Sequence, residues 1–227
     1  MKRVVTPELL DSDAGSRGEV EGSLADLRLV NRWFGGARVM ELLLQQVAAR
    51  TGARRLSLLD VASATGDVPR RGQERLARQG IRLDVTLLDR ATSHMDRGLR
   101  YVAGNALSLP FADRSFDLVS CSLFAHHLEP LALQTFVNEG LRVARRAVLI
   151  NDLRRHPLHL ALVYAGLPLY RSRLTRHDAP VSIRRSYTPA EMRSLLEKTR
   201  AARVEIGHFY LFRMGVIAWK GLAEQVA

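Results

Sequence analysis

Two aspartates, 29 residues apart, each follow an apolar run of the chain. Asp60 ends the run 56–60 and precedes a loop of very small residues, and Asp89 follows the run 82–88. Acidic side chains at the ends of neighbouring parallel strands accept hydrogen bonds from ribose hydroxyls and supply fixed negative charge. Small residues at 62–66 allow the backbone to approach a ligand closely. The pattern therefore predicts a nucleoside-binding edge of a sheet.

Two adjacent histidines provide the candidate acid–base chemistry. His126 and His127 follow the predicted strand 115–120, and Asn151 and Asp152 follow the next strand. A histidine near its ordinary pKa can take a proton from a phenol or an enol. A purely structural role for the histidines stays open at this point, and Asp152 is predicted either to touch substrate or to cap a following helix.

Alternating strand and helix patterns must position these groups. Strands are predicted at 56–61, 82–88, 99–103, 115–120 and 147–150, and helices at 67–79 and 131–144. This alternation is typical of an α/β fold with a mainly parallel sheet covered on both faces. The link between Asp89 and the third strand is short, which predicts no more than about a turn of helix there.

Helical spacing of apolar residues also precedes the first strand. We expect residues 1–22 to form a loose arm and a helix to begin at Ser23, with Asp26 three residues further on as in an N-terminal cap. The pair 35–36 is Gly-Gly and breaks this helix, and a second helix follows at 37–50.

The rhythm changes after the fifth strand. Residues 158–170 form an apolar stretch, which we expect to be a lid, and 171–186 are predicted to be a polar loop. Thr188, followed by proline, predicts the start of a helix. Strands at 202–208 and 210–219 then predict an antiparallel hairpin.

The loop 60–66 resembles the Asp-x-Gly-x-Gly-x-Gly motif of class I S-adenosylmethionine-dependent methyltransferases. The segment 104–119 resembles their Gly-Asp-Ala, Leu-Pro-Phe and Ser-Phe-Asp pattern, particularly that of small-molecule enzymes such as the ubiquinone/menaquinone methyltransferases. Ala62 and Ala64 replace two motif glycines, and Asn105 replaces the aspartate that contacts the adenine amino group. The side-chain carbonyl of asparagine remains a hydrogen-bond acceptor.

The resemblance implies a Rossmann-like, seven-stranded, mainly parallel sheet with helices on both faces, and S-adenosylmethionine as cofactor. It assigns the methionine end of the cofactor to Asp60, Ala62, Ser63, Ala64, Thr65 and Gly66, the ribose to Asp89, and the adenine to Asn105 and Ala106. Alanine is the smallest replacement for glycine, so we expect negative φ at Ala62 and Ala64, where its methyl group adds little strain.

The expected reaction is methyl transfer to a small lipophilic or aromatic acceptor, most readily at oxygen. The candidate catalytic residues are His126 and His127, and the candidate acceptor-binding residues are Asp152, Tyr164, Tyr170 and Arg184. Two alternatives remain at this point: a non-catalytic cofactor-binding or interaction protein, and an RNA methyltransferase. The absence of Gly-x-Gly-x-x-Gly after the first strand argues against a dehydrogenase.

The chain is expected to be one methyltransferase domain, 1–227. Its predicted parts are an N-terminal helical cover (1–52), a cofactor-binding core (53–152), a substrate lid (153–187), and a C-terminal helix and hairpin (188–227).

Composition limits the partners and the compartment. The formal charge of +11 comes mainly from scattered arginines, which favours a solvated basic surface over a nucleic-acid stripe and also suits transient contact with an anionic membrane surface. A single cysteine excludes a disulfide framework, and no metal site is expected from the histidine spacing. We expect a cytoplasmic monomer or homodimer.

Overall fold

The computed structural model describes residues 1–12, 15–90, 100–209 and 212–221, and these contain one seven-stranded sheet with flanking helices. The strands are β1 (Arg55–Val61), β2 (Arg82–Asp89), β3 (Arg100–Ala103), β4 (Phe116–Ser122), β5 (Ala144–Leu153), β6 (Arg203–Phe209) and β7 (Arg213–Trp219). The helices are α1 (Arg17–Trp33), α2 (Gly36–Thr51), α3 (Asp67–Ala77), α4 (Pro130–Val143), α5 (Pro157–Gly166), α6 (Arg173–Arg185) and α7 (Pro189–Leu196).

The sheet order is β3-β2-β1-β4-β5-β7-β6. The strands from β3 to β5 are parallel, whereas β7 runs antiparallel to both β5 and β6. This topology confirms the predicted Rossmann-like fold with a C-terminal antiparallel hairpin. It also brings the carboxyl ends of the parallel strands to one edge, where ligands of open α/β sheets bind.

Helices bury an apolar layer on each face of the sheet. On one face Phe136 of α4 and Met192 of α7 belong to a core cluster with Val119 of β4. On the other face Met40 of α2 and Leu76 of α3 pack in a second cluster. Burial on both faces is why the central strands are nearly continuous runs of apolar residues.

The fifth strand is longer than the sequence predicts. It extends to Leu153 rather than ending at residue 150, and Asp152 pairs with Met214 inside the ladder with β7. Asp152 therefore does not cap a following helix. The helical turn predicted before β3 falls on residues 91–99, which lie outside the described residues.

The first helix begins earlier than predicted. Ser16, not Ser23, is the N-cap, and it forms a capping box with Glu19. Ser23 is instead buried within α1, where its hydroxyl accepts a hydrogen bond from Thr175 Oγ1 at 3.0 Å. Gly35, in the left-handed conformation with φ of 80°, separates α1 from α2 as the sequence predicts.

The predicted polar loop at 171–186 is wrong, because α6 occupies most of it. The Ser172 hydroxyl accepts a hydrogen bond from the backbone N–H of Leu174 and caps this helix. Leu174 and Ile183 are buried, so α6 has an inward face despite its polar composition. The helix after Thr188 begins as predicted, with a capping box formed by Glu191.

Among the described residues, every helix is too short or too polar to cross a bilayer. The most apolar one, α5, has ten residues, whereas a membrane-spanning helix needs about 20.

Candidate active site

A cavity of about 1030 Å³ opens at the carboxyl edge of the sheet. Its lining includes Asp60 and the loop after β1, Asp89 at the end of β2, and the segment around Asn105 that follows β3. Residues of α1, α5 and the turn after β4 complete it. Two of the predicted clusters, the acidic loop and the histidine pair, therefore face one continuous space.

Asp60 lies at the base of this cavity and is 2% exposed. Its carboxylate accepts a hydrogen bond from the hydroxyl of Ser120 on the neighbouring strand β4. Burial raises the pKa of Asp60 to about 7, and the negative charges of Asp67 and Asp89 add to this rise, whereas the Ser120 bond opposes it. A cation placed here would favour the charged carboxylate.

The loop after Asp60 has a backbone that the sequence did not predict. Ala62 and Ala64 have φ values of 54° and 45°, so the expectation of negative φ at these positions is wrong. Gly66, with φ of 66°, then leads into α3. The positions that are glycine in the motif thus need the left-handed conformation here too, and alanine adopts it at an energetic cost.

The loop is attached to the second strand. The backbone N–H of Ala64 donates to Asp89 Oδ2 at 2.9 Å, and that of Ser63 donates to the carbonyl of Leu88 at 3.3 Å. Asp89 therefore holds the loop and lines the cavity at the same time. Asp60 and Asp89, the two acidic residues of the predicted nucleoside edge, line one cavity together with Ala62 and Ala64.

Asn105, to which the resemblance assigns adenine recognition, lines the cavity together with Gly104 and Ala106. Its Oδ1 accepts a hydrogen bond from the backbone N–H of Leu107 at 2.9 Å. This turn fixes the orientation of the side chain, because the carbonyl end of the amide is held by its own backbone.

His126 is buried and linked to β5. Its Nδ1 lies 2.6 Å from Asp152 Oδ1, and its backbone N–H donates to Asp152 Oδ2 at 2.9 Å. Burial opposes the charged imidazolium, but the carboxylates of Asp152 and Glu8 outweigh it and raise the pKa of His126 to about 9. His126 is therefore a cation at neutral pH.

His127 is more accessible and has its own carboxylate partner. Its Nδ1 lies 3.0 Å from Asp11 Oδ2, and its backbone carbonyl accepts a hydrogen bond from Arg185 Nη2 at 2.7 Å. An Nδ1–H directed to Asp11 leaves the lone pair on Nε2. Both histidines line the cavity, but only His127 has this arrangement of an oriented ring with moderate exposure.

The N-terminal segment covers the histidines. Glu8 is buried, with Oε1 3.4 Å from His126 Nε2 and Oε2 3.7 Å from His127 Nε2. The Ser182 hydroxyl donates to Glu8 at 2.8 Å. Arg3 holds the same segment in place by donating to the backbone carbonyls of the histidine turn and of α6, at distances of 2.7 to 3.2 Å.

Glu8, His126 and His127 also bring three possible metal-ligand atoms within 4.8 Å of one another. No spacing in the sequence reveals this cluster, because Glu8 is more than 100 residues away from the histidines. Burial opposes ionisation of Glu8, yet the two histidines and Ser182 outweigh it and lower its pKa. The cluster is thus balanced internally as carboxylate and imidazolium, and the absence of a metal site stays a prediction.

The predicted acceptor-binding residues are separated by the structure. Tyr170 lines the cavity, and burial raises its pKa. Tyr164 is 44% exposed, and Arg184 lies over its ring at 5.8 Å, so this pair faces away from the cavity lining. Asp152 is buried beneath His126 and reaches the cavity only through that ring.

The side of the cavity formed by α1, α5 and Phe212 is largely apolar. The His159 ring stacks on Phe212 with a centroid separation of 4.8 Å, and burial lowers the pKa of His159 to about 4, so the ring is neutral. Apolar lining comes from α1, α5, the segment after α5 and the residue before β7, namely Leu24, Leu27, Leu162, Val163, Leu169 and Phe212.

The buried polar groups of the cavity lining that sequence reasoning missed include Glu8, Asn31 and Arg213. Glu8 and Asn31 lie in segments without a recognisable motif, and Arg213 begins the apolar strand β7. A charged residue at the start of a buried strand was the available signal for Arg213.

Part of the chain matches known proteins. Residues 59–150 match the family described as "Methyltransferase domain". Demethylmenaquinone methyltransferase of Beutenbergia cavernae is 36% identical over 108 residues, which are 45% of this chain and 40% of that protein. The ubiquinone/menaquinone biosynthesis C-methyltransferase UbiE of Roseobacter denitrificans is 33% identical over 117 residues, covering 46% and 43%. The matches thus span less than half the length of these relatives.

Solved structures show the same fold over more of the chain. The plantazolicin methyltransferase BpumL, in complex with a substrate analogue and SAH, superposes with a TM-score of 0.66 at 14% identity, covering 94% of this chain and 93% of that one. A SAM-dependent methyltransferase from Aquifex aeolicus superposes with a TM-score of 0.52 at 17% identity, covering 85% and 97%.

The sheet order is that of the solved methyltransferase structures, and residues 59–150 match the methyltransferase-domain model, so the chain resembles class I S-adenosylmethionine-dependent methyltransferases. Within that class the chain resembles the ubiquinone/menaquinone methyltransferases. The predicted fold and the predicted resemblance to this class are confirmed.

Proposed function

We propose that this protein transfers a methyl group from S-adenosylmethionine to a small lipophilic or aromatic acceptor, at an oxygen atom. One observation carries the proposal: a single cavity is lined by the acidic loop of Asp60 and Asp89, by apolar residues of α1 and α5, and by His127. A cationic nucleoside fits the acidic end, whereas an aromatic acceptor fits the apolar end.

The residues at the acidic end fit the cofactor. Asp60 and the loop 62–66 would hold its methionine end, Asp89 the ribose, and Asn105 with Ala106 the adenine. When bound, S-adenosylmethionine supplies an electrophilic methyl group on a sulfonium centre. The three carboxylates around the loop favour positive charge there, and the cavity of about 1030 Å³ has room for a second ligand.

The residues at the other end would orient the acceptor and remove its proton. His127 Nε2 is the proposed base, since Asp11 orients the ring through Nδ1. His126 is the second candidate that the sequence offered. Its raised pKa of about 9 suits a fixed positive charge that stabilises a developing oxyanion better than it suits a base at neutral pH.

The apolar chamber supports a lipophilic or aromatic acceptor. Two relatives are named as quinone-pathway methyltransferases. In this chain the aromatic ring of Phe212, stacked on neutral His159, offers a flat surface for an aromatic acceptor. Arginines on the outer surface of the lid, such as exposed Arg184, suit transient contact with an anionic membrane surface.

The cofactor half of the proposal is tested by calorimetric titration of the purified protein with S-adenosylhomocysteine. We expect saturable binding, and a loss of roughly 10- to 100-fold in affinity for Asp89→Asn. The matched control is Asp84→Asn, on the same strand but in surface pairs with Arg55 and Arg82; its affinity should equal that of the wild type. Absence of binding to the wild type would reject the proposal.

The transfer half requires isotope-labelled S-adenosylmethionine and a panel of lipophilic phenols and quinols. We expect labelled product, and a decrease of about 100-fold in kcat for His127→Gln. His177→Gln, a half-exposed histidine paired with Asp178 outside the cavity, should leave kcat unchanged. Cofactor binding without transfer to any acceptor would favour a non-catalytic protein, and salt-sensitive binding of RNA would favour an RNA methyltransferase.

A further inference from the structure

Arg213 is a buried cation in the cavity lining. It begins β7 and pairs with Leu153 at the end of β5, so it lies at the same edge as the cofactor loop. The residue is only 2% exposed. The one side-chain hydrogen bond it makes to the described residues runs from Nε to the carbonyl of Phe34, at 3.2 Å.

The rest of its guanidinium is unpartnered. Nη1 and Nη2 are both buried, and neither has a hydrogen-bond partner among the described residues. A guanidinium carries five N–H donors, and an unpaired buried charge costs several kcal/mol in a folded protein. Burial accordingly lowers the pKa of Arg213 to about 10, against the attraction of Asp152 and Tyr170.

The carboxylates nearby are already occupied. Asp26 accepts the backbone N–H groups of Arg171 and Ser172, both at 3.0 Å. Asp152 accepts from His126 and from the backbone of Leu153. Neither of these carboxylates forms an ion pair with Arg213. Arg154, which together with Arg213 lowers the pKa of His159, is also basic.

Gly36 packs closely against this guanidinium and the Asn31 side chain. A Cβ atom placed on Gly36 would lie 3.2 Å from Arg213 Nη2 and 2.5 Å from Asn31 Oδ1. Asn31 Oδ1 is itself buried without a partner. Glycine at position 36 thus lets one cationic donor group and one neutral amide lie close together at the cavity lining.

We propose that Arg213 binds a carboxylate of the methyl acceptor, so that the acceptor is an organic acid with an aromatic or lipophilic body. This rests on the proposed function, because it names the substrate class for the same cavity. The two Nη atoms form a planar fork that matches a carboxylate in two parallel hydrogen bonds. The bound anion would compensate the charge that the protein leaves unpaired.

The position of Arg213 favours the acceptor over the cofactor as the source of the anion. β7 is separated from β1 by β4 and β5, and three strand spacings amount to about 14 Å. The cofactor contacts proposed above come from the ends of β1, β2 and β3. The chamber beside Arg213 is instead formed by Phe212, His159 and Tyr170.

The test compares acids with their neutral amides. Acetate, benzoate and 2-naphthoate, and the three corresponding amides, are titrated into the protein with and without saturating S-adenosylhomocysteine. We expect at least one acid to bind roughly 10- to 100-fold more tightly than its amide. Arg213→Gln should remove that preference and Arg213→Lys should retain part of it, whereas Arg28→Gln, an exposed arginine on the cavity rim, should leave it unchanged.

If no acid binds better than its amide, or if the preference survives in Arg213→Gln, the inference is rejected. A second arm separates the two sources of the anion: S-adenosylhomocysteine carries an amino-acid carboxylate and 5′-methylthioadenosine does not. Loss of affinity in Arg213→Gln for the first compound only would assign the anion to the cofactor and overturn the acceptor assignment. Failure of the wild type to bind S-adenosylhomocysteine would instead reject the proposed function.

Folding of the variants is checked by thermal unfolding without ligand. Removing an uncompensated buried charge should leave the unfolding temperature of Arg213→Gln equal to or above that of the wild type. A large decrease in both variants would show that Arg213 is structural and would overturn the inference.

Discussion

His126 Nδ1 lies 2.6 Å from Asp152 Oδ1, and both side chains are buried. This contact ties the turn after β4 to the last residues of β5, directly beneath the cavity. Because the two groups are buried together, the charge of each depends on the other. The pKa of His126 is raised to about 9, and that of Asp152 is lowered chiefly by the imidazolium, against the effect of burial.

Stability should therefore decrease in the alkaline range. The contribution of His126 to the free energy of unfolding is complete below the unfolded-state pKa of 6.5 and is lost as the pH rises through about 9. Denaturant unfolding from pH 6 to pH 10 should show a decrease on the order of 1 to 3 kcal/mol over this window. The decrease should be absent from His126→Gln.

The matched control for that experiment is His208→Gln, since His208 is exposed on β6. Its stability should follow the pH dependence of the wild type. Asp152→Asn should move the loss to lower pH, because the main influence that raises the pKa of His126 is gone. An equal stability difference between wild type and His126→Gln at every pH would contradict the prediction.

The pKa of about 7 at Asp60 predicts a pH-dependent affinity for the cofactor. Below this pH the carboxyl is neutral and attracts a cation weakly, so binding of S-adenosylmethionine should strengthen as the pH rises through 7 and then level off. Asp60→Asn should bind more weakly, with no such rise. Titrations at several pH values, with Asp84→Asn as control, would refute this if wild type and Asp60→Asn had the same slope.

The same shift has an opposite effect on the ligand-free protein. Because the folded pKa of Asp60 lies above its ordinary value of 3.8, the folded state retains a proton that the unfolded chain loses. The free energy of unfolding should thus decrease as the pH rises from about 4 to about 7. Asp60→Asn should remove this part of the profile.

The backbone at Ala62 and Ala64 predicts that glycine is the more stable residue there. At φ of 54° and 45° the methyl group is strained, and its removal should raise the free energy of unfolding by about 0.5 to 1 kcal/mol at each site. Thermal unfolding measures this. Ala125→Gly, at a buried position without positive φ, should destabilise instead. Lower stability in both loop variants would contradict the assignment of strain.

The cluster of Glu8, His126 and His127 predicts indifference to chelators. Its carboxylate and imidazolium groups balance each other, and a metal ion would have to displace the proton of His126. Labelled-methyl transfer should be unchanged after dialysis against EDTA. Glu8→Gln should lower the pKa of His126 without changing metal content. One equivalent of tightly bound transition metal, with loss of activity on its removal, would overturn this prediction.

Much of the cofactor-binding end of the cavity could be predicted from sequence, because the sequence signals for it are local. Buried parallel strands are nearly continuous apolar runs, and Asp60 and Asp89 come at the ends of two of them. Strand neighbours at one sheet edge then follow from the α/β alternation. The backbone of Ala62 and Ala64 did not follow, because residue size alone does not fix the sign of φ.

Other errors came from competing local signals. Ser16 and Ser23 are each followed three residues later by an acidic residue, but only Ser16 caps a helix, because Glu19 completes the reciprocal hydrogen bonds. Ser23 is buried against α6 instead. The sequence did not predict α6, because its composition is polar and it contains Pro180.

The proposed acceptor-binding end of the cavity depends on contacts between residues that are far apart in the sequence. Glu8 meets His126 across more than 100 residues of chain, and Arg213 meets Phe34 across a similar distance. No periodicity or motif in the sequence predicts either contact. Which titratable groups share a cavity was therefore visible only in the folded chain.

Arg3 fastens the first residues of the chain to the carbonyls of His126 and Leu128, and Glu8 follows as a boundary of the ligand space. Residues ahead of the matched domain, which begins at residue 59, thus form part of the lining of the proposed ligand cavity. Homologues that share the domain but differ in this leading segment should differ in substrate preference. Alignments restricted to the domain would miss the cause.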